Sequence, residues 1–277
     1  MQITNLMINP LKAKHLEKIP SIKAGVVTLN LEDAIAKERK GEALNNIINL
    51  LEQKIDSSAK IVVRVNALNE SGIAEIKALN PYNFLAIRVP KVKTKAEIKE
   101  ALNLIRDDKE LHISLETKEA FYNIRDLKID NRFTTANLGI LDLLNSLNLP
   151  QSLLELGNPT IDYILSKFLI DTKSVNLEPV SFMYQDYNNV NEFRAWCKRE
   201  KLMGFESKAC LGPKQLEIAN KIFGINKEEL TRAKEIKEFF ELHSKSGENG
   251  VMHEKYGFID EPIYKDALLI LKSSKKW

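Results

Sequence analysis

The sequence predicts an α/β protein: a (β/α)8 TIM barrel followed by a C-terminal helical extension. Three observations predict it. Short β-rich runs alternate with longer helical patterns, which implies parallel strands joined by crossover helices. The alternation repeats about eight times in 277 residues, enough for one barrel of roughly 250 residues and a tail. The first strand runs into Asn9-Pro10-Leu11 rather than a glycine-rich turn, which counts against a doubly wound dinucleotide-binding sheet.

Taken in order, the first strand is the apolar run 3–8. The second, 25–29, precedes a helical pattern at 38–54, and the third, 60–65, precedes one at 72–79. The fourth strand, 84–89, leads to a helix at 94–106. The fifth is Leu111-His112-Ile113-Ser114-Leu115, closed by Glu116 and followed by a helix at 117–128. The sixth, 132–138, is followed by a helix at 152–169, and the seventh, 179–184, by one at 190–202. The eighth, 204–209, leads into a helix at 213–223. Beyond it, 227–246 reads as a charged helix, 247–257 as a loop containing Gly and His, and 262–274 as an amphipathic helix. With no long polar linker, the expected division is a barrel at 1–226 and a helical extension at 227–277.

Composition excludes several function classes. There are 41 Lys+Arg against 38 Asp+Glu, and a net charge of +3 is no nucleic-acid signature. Lys272, Lys275 and Lys276 form a small basic cluster, as expected of a solvated helix end. No apolar run reaches the ~18 residues of a membrane span. The first residues lack the charged and apolar segments of a signal peptide, and two cysteines, Cys197 and Cys210, suit a reducing compartment. A cytoplasmic protein with no nucleic-acid or membrane partner is the expectation. The four histidines lack zinc-ligand spacing, and there is neither a Walker loop nor a Gly-x-Ser-x-Gly elbow.

In a barrel, function gathers at the C-terminal ends of the strands. Strand two ends into Glu32-Asp33, strand three carries Arg64 and Asn66, and strand four runs into Pro90-Lys91. Strand five ends at Glu116, strand six leads to Asp142, strand seven to Asp186, and strand eight ends around Lys208 and Cys210. Each alone has a plainer reading: Glu32-Asp33 as favouring a helix N-terminus, Glu116 and Asp142 as capping residues, and Arg64 as a rim salt bridge. Together they are harder to explain that way, because ionisable groups turned into a barrel rim are costly unless paired or bound to a cation. Glu116 and Asp142 on neighbouring strands would share one rim, where their oxygens suit a hard cation, Mg²⁺ or Mn²⁺.

These residues also carry a resemblance. Leu29-Asn30-Leu31-Glu32-Asp33-Ala34-Ile35 is similar to the Asp-Leu-Glu-Asp-Ala-Val motif of citrate lyase β-subunit-like proteins, within the HpcH/HpaI aldolase superfamily. Val63-Arg64-Val65-Asn66 resembles its Arg-x-Asn strand, and Val89-Pro90-Lys91-Val92 its Leu-Pro-Lys-Val. Ser114-Leu115-Glu116-Thr117 resembles Ile-Glu-Thr, and Gly139-Ile140-Leu141-Asp142-Leu143 resembles Gly-x-x-Asp-Leu. Gly204-Phe205 through Gln215 follows Gly-Phe-x-Gly-Lys-x-x-Ile-His-Pro-x-Gln, and Gly257 through Pro262 the closing Met-Ile-Asp-x-Pro. The matches run in order along almost the whole chain.

The resemblance implies a carbon–carbon lyase that cleaves or forms a bond beside a carbonyl on a 3-hydroxyacyl-CoA or related hydroxy acid. It implies Mg²⁺ on Glu116 and Asp142, and Arg64 gripping substrate oxygens. Glu32 and Asp33 would join Arg64 in the catalytic group, and Asn66, Lys91 and Lys208 would contact substrate. It further implies a homo-oligomer, a trimer or hexamer, in which the C-terminal segment covers a neighbour's site. The chain departs from the pattern at Met7-Ile8-Asn9-Pro10 in place of Phe-Val-Pro-Gly, with the preceding Arg replaced near Ile3. It departs again at Asn30 for Asp, Ser181 for the Asp of strand seven, and Gly212 for the His of Ile-His-Pro. Several of these positions contact acyl-CoA in relatives, which leaves the CoA thioester open. The alternatives are a CoA-independent aldolase on a 2-oxo acid and a non-catalytic barrel used for binding.

Overall fold

The computed structural model describes residues 4–53, 57–224, 227–245 and 247–274. Ile3, Lys275 and Lys276, and the expected domain boundary at 226, lie outside these residues. Eight parallel strands close into a barrel in chain order: β1 (Thr4–Ile8), β2 (Val26–Asn30), β3 (Lys60–Arg64), β4 (Ala86–Val89), β5 (Glu110–Leu115), β6 (Phe133–Leu138), β7 (Glu178–Ser181) and β8 (Ser207–Cys210). β8 returns to β1 through the pairs Thr4↔Lys208 and Leu6↔Cys210. The chain divides into two units, Gln2–Phe223 and Gly224–Trp277.

The helices of the first unit are α1 (Ala13–Leu16), α2 (Lys40–Glu52), α3 (Ile73–Leu79), α4 (Lys95–Leu104), α5 (Lys118–Leu127), α6 (Ile140–Ser146), α7 (Pro159–Ser174), α8 (Val190–Met203) and α9 (Pro213–Phe223). Strand residues such as Val27, Leu29, Val63, Ile87, Leu111 and Ile113 pack outward with helix residues such as Ile47, Ile76, Ile98 and Phe121 in the main core. Inside the barrel the composition changes with height. Val26, Val62 and Ala86 form a separate apolar layer near the strand starts. Two residues further along the same faces stand Thr28, Arg64 and Arg88, all buried. A side-chain period of two therefore places apolar groups at the bottom and polar groups toward the mouth. Thr28 Oγ1 donates to Asn5 Oδ1 at 2.7 Å, and Asn5 Nδ2 donates to Asn137 Oδ1 at 3.3 Å, so this polar layer is internally bonded.

Several elements differ from expectation. The helix expected at 152–169 is a 3₁₀ turn, Gln151–Leu153, followed by α7. Gly157 at φ 82° breaks the path, Asn158 caps α7 by accepting from Thr160 and Ile161, and Pro159 occupies its first turn. The eighth strand starts at Ser207 rather than at 204, because Gly204 at φ 102° is the left-handed C-cap of α8. α6, directly after β6, was not expected as a separate helix.

The second unit contains α10 (Lys227–Ser244), an antiparallel pair β9 (Gly250–His253) and β10 (Gly257–Asp260), and α11 (Glu261–Ser274). The expected loop at 247–257 thus contains a strand. Glu254-Lys255-Tyr256 turns the chain and Gly257 adopts φ 75°, a left-handed position that closes a short hairpin. Ala233, Ile236, Ile259 and Ala267 form the core of this unit.

Candidate active site

A cavity of about 230 Å³ opens at the C-terminal ends of the strands, and Arg64, Arg88, Glu116, Asn137 and Asp142 are among its lining residues. Glu116 follows β5 directly and is buried at 3% exposure. Its Oε1 accepts the backbone N–H of Lys91 at 2.8 Å, and its Oε2 lies 3.9 Å from Arg64 Nη2. Thr117, the next residue, caps α5 and donates to the Val92 carbonyl at 2.7 Å, tying the end of β5 to the loop after β4. Burial pushes the Glu116 carboxyl up to about 7, with Arg64 opposing. Asp142 is exposed in the first turn of α6. Gly139 lets that turn approach: a Cβ there would sit 2.7 Å from Glu116 Cβ and 2.8 Å from Oε2.

Glu32, buried beyond β2, forms an ion pair with Arg64 Nη2, and its other oxygen is 2.9 Å from Lys91 Nζ. Burial alone would raise its pKa. The Arg64 charge and hydrogen bonds from Asp33 and Lys91 outweigh burial and hold it at about 2. Asp33, with its side chain 59% exposed, lies 3.4 Å from Arg64 Nη2. Burial of part of the group and the neighbouring Glu32 raise it to about 6. Lys91 adopts a left-handed backbone, φ 55°, which aims its N–H at Glu116 and its ammonium at Glu32.

The structure thus brings together Glu32, Asp33, Arg64, Lys91, Glu116 and Asp142. It does not bring Asn66 or Lys208 to the cavity. Asn66 is fully buried: Nδ2 donates to Glu75 Oε1 at 2.5 Å and to the Leu31 carbonyl at 3.1 Å. Its side-chain oxygen takes Lys40 Nζ, so it braces the chain behind the rim. Lys208 is wholly buried on the outer face of β8, where Nζ pairs with Glu200 Oε1 of α8 at 2.6 Å, 3.9 Å from the centre of the Phe182 ring. Its neighbours Ala209 and Leu211 are the ones that line the cavity. Cys210 is buried and pushed above the usual thiol range by that burial, as befits a packing residue. The residue missed in the sequence is Arg88, 6% exposed on β4 and paired in register with Arg64. The signal was present: Val63-Arg64-Val65 and Ile87-Arg88-Val89 repeat one pattern on adjacent strands.

Among the described residues, no group of three or more His, Cys, Asp or Glu is arranged to hold a metal ion unaided. Glu116 and Asp142 both line the cavity. The profile of the HpcH/HpaI aldolase/citrate lyase family matches residues 5–213, the span that builds the barrel and this cavity.

The chain belongs to the HpcH/HpaI aldolase/citrate lyase family.

Among relatives in this family, the (3S)-malyl-CoA thioesterase of Cereibacter sphaeroides is 29% identical over 80% of this chain and 77% of that protein. The mitochondrial citramalyl-CoA lyase of Mus musculus is 26% identical over 92% of this chain and 80% of that protein. Among solved structures, a citrate lyase from Burkholderia xenovorans superposes with a TM-score of 0.86 at 14% identity, over 99% of this chain and 92% of that one. CitE of Mycobacterium tuberculosis, solved with magnesium, acetoacetate and coenzyme A, superposes at 0.76 and 18% identity, over 99% and 98%. These likenesses establish the barrel as the family's fold.

Proposed function

We propose that the protein is a Mg²⁺-dependent carbon–carbon lyase acting on a 3-hydroxyacyl-CoA or related hydroxy acid. The observation that carries this reading is the buried Glu116 carboxylate, set beside Asp142 and Arg64 at the barrel mouth. A carboxylate whose charge burial opposes gains most from a cation at its side. Two protein carboxylates with room for water and substrate oxygens suit Mg²⁺, which keeps several waters and seldom occupies an all-protein cage. Glu116 and Asp142 would hold it. When bound, it supplies positive charge that stabilises the enolate left by carbon–carbon cleavage.

The remaining roles belong to the chain itself. Arg64 is fixed by Glu32, which stays ionised throughout the physiological range. A guanidinium held in this way orients a substrate carboxylate through charge-assisted hydrogen bonds. Asp33, raised to about 6 and accessible to solvent, would take the proton from a substrate hydroxyl at its carboxylate oxygen. Lys91 fixes both Glu32 and Glu116. The relatives named for malyl-CoA and citramalyl-CoA support a thioester substrate.

A second reading, a CoA-independent aldolase on a 2-oxo acid, has one observation in its favour. Gly212 stands where relatives carry the His of Ile-His-Pro, and a Cβ there would meet the Tyr187 ring at 2.5 Å. The Tyr187 ring thus occupies room that any side chain at position 212 would need.

Cleavage measured across 3-hydroxyacyl-CoAs and 4-hydroxy-2-oxo acids, with Mg²⁺ and with a chelator, tests both readings. Turnover of a thioester that stops on chelation supports the first. Turnover of free oxo acids alone supports the second, and no turnover across the panel removes both. The same reading extends to assembly, as a trimer or hexamer in the cytoplasm with the second unit covering a neighbour's site. Exposed Leu242, Met252, Phe258 and Leu269 in that unit support an interface. A monomeric mass by light scattering would contradict it. No helix among the described residues is long and apolar enough to cross a membrane.

A further inference from the structure

We propose that Arg88 is a second anion anchor beside Arg64, so that the site takes a substrate bearing a free carboxylate below the Glu116 rim. Arg88 is 6% exposed and lines the cavity. Among the described residues, its one hydrogen bond runs from Nε to Ser114 Oγ at 2.9 Å, and it forms no ion pair. Arg64, its register partner on β3, contrasts with it: Arg64 has Glu32 and Asp33 as partners. A buried guanidinium without a carboxylate partner is costly, and the cost is offset when a ligand supplies the missing anion. The planar fork of donors matches a carboxylate.

Position within the barrel says which end of the ligand reaches it. Arg88 lies on β4 one strand from β5, where Glu116 follows the last strand residue, and it bonds to Ser114, two residues before Glu116. It therefore sits below the Glu116 rim. The cavity, about 230 Å³, is smaller than the roughly 300–1,000 Å³ of sites for drug-sized ligands. It suits a short acid chain spanning from the rim to Arg88. Glu116 and Glu32 also attract Arg88 and Arg64 repels it, so a purely internal counter-charge role is the competing explanation.

The inference rests on the lyase reading only for calling the ligand a substrate, so its test reads binding without turnover. Calorimetric titration with oxaloacetate and pyruvate, which differ by one carboxylate, is carried out on the wild type and Arg88→Met, with and without Mg²⁺. The expected result is an oxaloacetate preference of about tenfold or more in the wild type, lost in R88M while pyruvate affinity holds within about threefold. Arg88→Lys, which keeps the charge, should retain part of the preference and serves where R88M unfolds. An unchanged preference in R88M, or a wild type that binds both acids equally, overturns the proposal. Sulfate binding as tightly as oxaloacetate also overturns it, by reducing the site to a general anion pocket. A protein that cleaves nothing yet shows Arg88-dependent discrimination would sink the lyase reading and keep this one.

Discussion

The Glu116 carboxylate is held by the Lys91 backbone, whose N–H donates to Oε1 at 2.8 Å from a left-handed conformation at φ 55°. The end of one strand thereby orients the acid on the next. Oε2 is left facing Arg64 at 3.9 Å and the turn at Gly139.

That turn gives a steric prediction. Gly139 has φ −92°, so alanine suits its backbone, yet the new Cβ would fall 2.7 Å from Glu116 Cβ. Gly139→Ala should destabilise the fold by about 1–3 kcal/mol, as overpacking does, and weaken Mg²⁺ binding by displacing the carboxylate. Denaturant melts and a Mg²⁺ titration check both effects; unaltered metal affinity would show that the close approach is incidental.

The titration of Glu116 gives a pH prediction. Its carboxyl is raised from 4.5 to about 7 on folding, so the protonated form is favoured in the folded state. Its contribution to stability is full below about 4.5 and is lost as pH rises through about 7. The size is on the order of 3 kcal/mol. Glu32 acts in the other direction, because its lowered pKa gives stability above about 4.5 that is lost as pH falls toward about 2. Chemical denaturation of the metal-free protein from pH 4 to 8 should show the first slope, and Glu116→Gln should flatten it. Mg²⁺ affinity should rise with pH and level off above about 7, since binding displaces the Glu116 proton.

Lys208 tests the boundary of the site. Its ammonium and Glu200 are both fully buried. Lys208→Met should cost about 3–5 kcal/mol by stranding Glu200, and adding Glu200→Leu should recover much of the loss. Substrate KM in the surviving folded fraction should stay near the wild-type value. A large KM change in the stable double variant would return Lys208 to the site.

The barrel was legible because each strand-and-helix unit is a local pattern, and acids at successive strand ends outlined the rim. What the sequence hid depends on parity and closure. With strand eight read from 204, Lys208 looked like a mouth residue. Its true start at Ser207 and the alternation of side chains send Lys208 outward and turn Ala209 inward. Asn66 matched a motif, yet its bonds to Glu75 and Leu31 form only when α3 and the end of β2 pack together. Arg88 reads as an ordinary charge in an apolar run until the barrel closes around it. The hairpin of β9 and β10 was missed because its Gly and His residues resemble a loop, although Val251, Met252, Phe258 and Ile259 pair across it.

The most direct test of the central claim is a Mg²⁺ titration by calorimetry on the wild type, Glu116→Gln and Asp142→Asn at pH 8. The arrangement of Glu116 and Asp142 predicts saturable binding in the wild type and a loss of about tenfold or more in each variant. Equal Mg²⁺ affinity in all three proteins would contradict it.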